Sequence, residues 1–162
     1  MPTYEAVEGS EVPDPYRTLL VHRGDMTSRL EAFHNGSIFL EVRHREHTED
    51  AYRREVVLRI EGSSLPVEYG AIEICLPAFP HEVRQLIVEA HLPLGGLMNR
   101  FQMKYRSEPR AFIHLGADPV MQKIFEAPSA TEFYGRSNVL LGADGETLAR
   151  IVEVLRPAEA RA

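Results

Sequence analysis

Two charged residues stand where the apolar face of a β-strand should run unbroken. In "RREVVLRI", residues 53–60, alternation sends Arg54, Val56, Leu58 and Ile60 to one side and Arg53, Glu55, Val57 and Arg59 to the other. The first set is aliphatic apart from its arginine. A guanidinium keeps its proton inside proteins, and burying it alone costs several kcal/mol, so Arg54 needs a carboxylate, a ligand anion or a route to water. In "ARIVEVL", residues 149–155, the same test puts Glu153 between Ile151 and Leu155. The two charges are opposite. Either they pair in the core, or they face each other across a ligand, the arginine gripping a carboxylate in a fork and the glutamate accepting a hydrogen bond or a proton.

The elements that must carry these residues are legible from period and punctuation. "SIFLEVRHREH" reads as a strand with Ile38, Leu40 and Val42 on one face, and "RREVVLRI" and "VEYGAIEICLP" follow as two more, antiparallel in appearance. Before them "GDMTSRLEAFH" opens with Asp25, a good N-cap, and places Met26, Arg29, Leu30 and Phe33 at helical spacing. After them Val83, Leu86, Ile87 and Ala90 repeat at helical spacing until Pro93 forces a break ahead of a second short helix. "RAFIHLG" is a further short strand, and Asp144-Gly145 joins two strand-like runs as a hairpin turn. Residues 1 to about 14 are polar with two prolines and read as a loose leader; residues 158–162 read as a loose tail.

The chain has 162 residues, which suits a single domain with one site. With 44% hydrophobic and 26% charged residues and no repeat, it belongs with ordinary globular proteins. Lys plus Arg number 18 against 24 Asp plus Glu, a balance of −6 that offers no basic stripe to a polyanion, so no nucleic-acid partner is expected. There is no run of roughly 18 apolar residues and no signal-like start, so no membrane partner is expected and a cytoplasmic location follows. The single cysteine, Cys75, rules out an internal disulfide. "HREH" sets His44 and His47 three apart, which on a strand puts them on opposite faces, and no metal site is expected.

Four stretches then resemble the chorismate lyase family: "LLVHRGDMTSRLEAF", "RREVVLRI" leading to "GAIEICLP", "LPLGGLM", and "ARIVEVLRP" with its glutamate four residues before a proline. Their order and spacing agree over about residues 16 to 157. The resemblance implies an α+β fold with a single antiparallel sheet, its helices covering an internal ligand cavity. It implies a lyase that eliminates pyruvate from chorismate to leave 4-hydroxybenzoate, with no cofactor. Carried over by position, Arg54 would bind the ring carboxylate, Glu153 would face the ring hydroxyl as the other catalytic residue, and Met26 and Leu94 would line the pocket under helical flaps. Two alternatives accompany it: a non-catalytic module of the same fold that binds or senses an aromatic acid, and a lyase acting on a chorismate relative. The expected partner in every case is a small cyclic acid.

Overall fold

The computed structural model describes residues 4–22, 25–89 and 92–158. Seven strands form one antiparallel sheet: β1 (Tyr4–Val7), β2 (Ile38–His47), β3 (Ala51–Ile60), β4 (Pro66–Cys75), β5 (Tyr105–Leu115), β6 (Phe133–Gly142) and β7 (Thr147–Leu155). Their order across the sheet is β1-β5-β6-β7-β4-β3-β2. Five helices accompany them: α1 (Tyr16–Leu20), α2 (Met26–His34), α3 (His81–Glu89), α4 (Leu94–Arg100) and α5 (Pro119–Ile124). This is the α+β arrangement, a single antiparallel sheet with covering helices, expected from the motifs. Residues 4–7 depart from the expected loose leader: they pair along β5 from Tyr4↔Leu115 to Val7↔Phe112. Their side chains are mostly exposed, so ladder hydrogen bonds rather than an apolar pattern hold them, and periodicity has nothing to detect. Of the expected loose tail only Ala158 lies within the described residues, and its N–H donates to the Tyr16 hydroxyl.

The local reasons for the site-bearing elements are short. Asp25 caps α2, its carboxylate accepting from Thr27 N at 3.1 Å and Ser28 N at 3.4 Å. Asn35 ends the same helix in the left-handed region at φ 51°. The turn at Asp144-Gly145 closes the β6–β7 hairpin, with Gly145 at φ 80°.

Two apolar clusters cover one face of the sheet. In the first, Leu19 and Leu20 of α1 and Met26 and Leu30 of α2 cover Ile38, Val56, Leu58 and Leu155. In the second, Val83 and Ile87 of α3 and Leu94, Leu97 and Met98 of α4 cover Tyr52, Ile74, Leu140 and Ala149. A third cluster lies on the opposite face, where α5 covers Val57, Ile113, Phe133 and Val154. The cavity occupies the seam between the first two clusters, lined from both sides, Met26, Val56 and Leu58 from one and Leu94, Met98 and Leu140 from the other. No helix among the described residues is long and apolar enough to cross a membrane.

Candidate functional site

Register brings the charged exceptions of four neighbouring strands onto one face. Arg54 faces Ile72 across β3 and β4; Glu68 faces Leu58; Gly70 faces Glu153 across β4 and β7; and Glu153 faces Arg136 across β7 and β6. Arg54, Glu68, Arg136 and Glu153 are all nearly inaccessible, at 3%, 4%, 1% and 5% exposure, yet all line the same cavity. Met26, the first residue of α2, and Leu94, the first of α4, form part of its cover. The cavity holds ≈640 Å³ of empty space, part of it continuous with solvent.

Arg54 and Glu153 line the cavity together without pairing. The Arg54 guanidinium donates to Ile87 O at 3.2 Å and, more weakly, to Leu92 O at 3.5 Å, and its Nε has no partner among the described residues. Its Cζ lies 5.9 Å from the centre of the Tyr52 ring. Burial lowers the Arg54 pKa from its ordinary value, the Tyr52 hydroxyl partly opposes this, and Arg45, directly opposite on β2, adds a smaller like-charge repulsion. Arg45 in turn reaches Val88 O at 3.4 Å, so two guanidiniums meet carbonyls in the last turn of α3, where the helix dipole is negative. No carboxylate among the described residues forms an ion pair with Arg54.

Glu153 is held by Arg136, whose Nε donates to its Oε2 at 2.7 Å. Arg136 also donates to Leu20 O at 3.3 Å and His22 O at 3.0 Å, which ties β6 to the segment joining α1 and α2. That placement depends on Gly135, where a Cβ would stand 2.0 Å from Glu153 O. Burial and Arg136, in that order, hold the His22 imidazole down at a pKa of about 4, so it is neutral at physiological pH.

Glu68 is the member that strand reading missed. Its Oε1 is buried with no hydrogen-bond partner among the described residues. Burial and then the Glu153 charge push its pKa well above the usual carboxylate range, and Arg136 only partly opposes them. Burial also raises Glu153, but there the 2.7 Å bond to Arg136 favours the anion. One guanidinium serves two carboxyls, and Glu68, which has no hydrogen bond to it, is the one pushed furthest toward the protonated form. Asp25 reaches the same end of the cavity, its carboxylate already engaged by the α2 N–H groups and by Asn99 Nδ2 at 3.0 Å. Among the described residues no group of three or more His, Cys, Asp or Glu is placed to hold a metal ion.

No family model matches the sequence, and no curated protein does either. Solved structures do match. The effector domain of PhnF from Mycobacterium smegmatis is 13% identical and superposes with a TM-score of 0.59 over 86% of this chain and 96% of that one. PhnF from the same organism gives 0.62 at 12% identity over 84% of this chain, which spans 65% of that protein. The ligand-binding domain of a putative GntR-family transcriptional regulator from Bordetella bronchiseptica gives 0.55 at 8% identity over 76% of this chain and 92% of that one. At such identities the likeness is one of fold.

These findings correct the resemblance drawn from the motifs. None of the structures named above is a chorismate lyase: one is an effector domain and another the ligand-binding domain of a putative transcriptional regulator, so the lyase activity is not supported, nor are chorismate, pyruvate or 4-hydroxybenzoate. The four motifs carried the fold, which such regulator domains share.

Proposed function

We propose that this chain is a non-catalytic effector-binding module whose cavity captures a small organic acid, with Arg54 gripping the acid's anionic group. The observation that carries this reading is Arg54 itself: a guanidinium 3% exposed on the cavity wall that donates to the carbonyls of Ile87 and Leu92 and whose Nε has no partner among the described residues. A second guanidinium, Arg45, directly opposite it strengthens the local pull on an anion. Met26 and Leu94 supply the apolar cover, and Glu153 and Arg136 form a fixed polar wall at the other end.

Two fold neighbours, the effector domain of PhnF and the ligand-binding domain of a putative GntR-family transcriptional regulator, support a regulatory role. A module of that kind influences DNA through the regulator as a whole, so the absence of a nucleic-acid partner expected from the charge balance is withdrawn. The acidic balance of −6 argues only that this chain does not itself grip the phosphate backbone.

Calorimetric titration with cyclohexanecarboxylate tests the reading. The parent should bind it, and Arg54→Met should weaken binding about 10- to 100-fold, the equivalent of losing one charge-assisted hydrogen-bonding group. Equal affinity in parent and variant would contradict it.

A further inference from the structure

The two ends of the cavity are not electrostatically alike. At one end stands Arg54, balanced by no carboxylate. At the other, three carboxyl groups, Asp25, Glu68 and Glu153, line the wall with a single guanidinium, Arg136, among them. Glu68 and Arg54 lie four residues apart along the β3–β4 ladder, about 13 Å of strand at ~3.3 Å per residue, and their side chains face the space between. Asp25 is engaged by the start of α2 and Asn99, and Glu153 by Arg136. Of these three carboxyls only Glu68 keeps a buried oxygen with nothing to meet it among the described residues. A buried polar atom without a partner is costly, and it points to what should stand opposite.

Deepening the acid-binding reading, on which it rests, we infer that the cavity's ligand is a compact zwitterion whose ammonium group docks between Glu68 and Glu153 while its carboxylate or other anionic group meets Arg54. An ammonium brings three donors and one positive charge, which answers both the unpartnered oxygen and the surplus carboxyl. A hydroxyl would answer only the oxygen. The apolar walls between the ends, Val56, Leu58, Met98 and Ile151 among them, suit a hydrocarbon spacer or ring.

A separate consequence concerns protons. The groups acting on Glu68 are Glu153 from β7, Arg136 from β6 and Asp25 ahead of α2; Leu58 faces it from β3, and the neutral His22 stands beside Arg136. Burial and Glu153 push the Glu68 carboxyl toward its protonated form. An arriving ammonium favours the anion instead, so its binding near neutral pH is accompanied by release of protons from Glu68 to the buffer. A neutral hydroxyl displaces none.

The test uses the whole chain and three probes that differ in one group: cyclohexanecarboxylate, trans-4-hydroxycyclohexanecarboxylate and trans-4-aminocyclohexanecarboxylate. Titrations at pH 7.5 in phosphate and in Tris, buffers of different ionisation heat, give both affinity and protons released. The expected result is that the amino acid binds at least tenfold more tightly than the other two and alone releases a proton. Glu68→Gln, an isosteric change, should bring the three affinities within about threefold and abolish the proton release. Equal binding of all three by the parent, or preference for the hydroxy acid, overturns the zwitterion and leaves the acid-binding reading standing. Failure of all three to bind the parent more tightly than Arg54→Met overturns the acid-binding reading and the zwitterion with it.

Discussion

Arg54 and Glu68 are each buried with one polar atom unanswered, and they differ in how the fold tolerates them. Arg54 cannot discharge, so the chain gives it the carbonyl oxygens of Ile87 and Leu92. Glu68 can discharge and does so by keeping its proton. Its folded pKa lies above its unfolded one, so the favourable contribution is complete below pH 4.5, the ordinary value, and is lost as pH rises through the folded pKa. Glu68→Gln should therefore match the parent's melting temperature near pH 4 and exceed it at pH 8, the gap widening by up to about 1.4 kcal/mol for each pH unit between the ordinary and the folded pKa. Thermal unfolding at the two pH values checks this, and a variant less stable than the parent at pH 8 would count against a neutral Glu68. Arg136→Met removes the one cation from two buried carboxyls and leaves Leu20 O and His22 O without their donor. It should cost about 3–5 kcal/mol by denaturant titration, more at pH 8 than at pH 5 because the carboxyls must then ionise unpaired.

At the level of elements, two glycines set how closely the site's walls approach. At Gly95 an added Cβ would meet Asp25 Oδ1 at 2.7 Å, so α4 can lie against the cap of α2 only because this residue lacks a side chain. Gly95→Ala should push the two covering helices apart, and the measured consequence is faster release of a bound acid with little change in unfolding free energy. Gly135→Ala meets backbone rather than a side-chain tip and should destabilise by about 1–3 kcal/mol. How far such a site can be read from sequence follows from the same elements. Arg54 and Glu153 stood out because aliphatic residues flank them at i±2 on a period-two face. Glu68 passes the same test less clearly, since the next residue on its face is Gly70, and Arg136 is disguised by Tyr134 and Asn138 on either side. Their partners were not legible at all, because Glu153 meets Arg136 and Arg54 meets Arg45 only through strand register. α5 escaped notice although Asp118, its N-cap, and Pro119, its first residue, were both in view. β1 is too short and too exposed to show a period.

For the whole molecule, the seven-stranded sheet is a stiff floor, and function concentrates in what covers it. The end of α1 and His22 just after it are fastened to that floor by Arg136, and the end of α3 by Arg54 and Arg45. A ligand anion at Arg54 would share the donors that now reach Ile87 O and Leu92 O, so binding and the position of the α3–α4 connection are physically coupled. The fold neighbours, effector and ligand-binding domains of regulators, fit the same logic. The most direct test follows the Arg54 side-chain Nε–H resonance in a ¹H–¹⁵N spectrum as cyclohexanecarboxylate is added. The account predicts that this signal shifts saturably and is protected from solvent exchange, while the Arg136 Nε–H, already bonded to Glu153, moves little. An Arg54 signal that stays in place while the acid binds, or shifts confined to surface arginines such as Arg53, would contradict it.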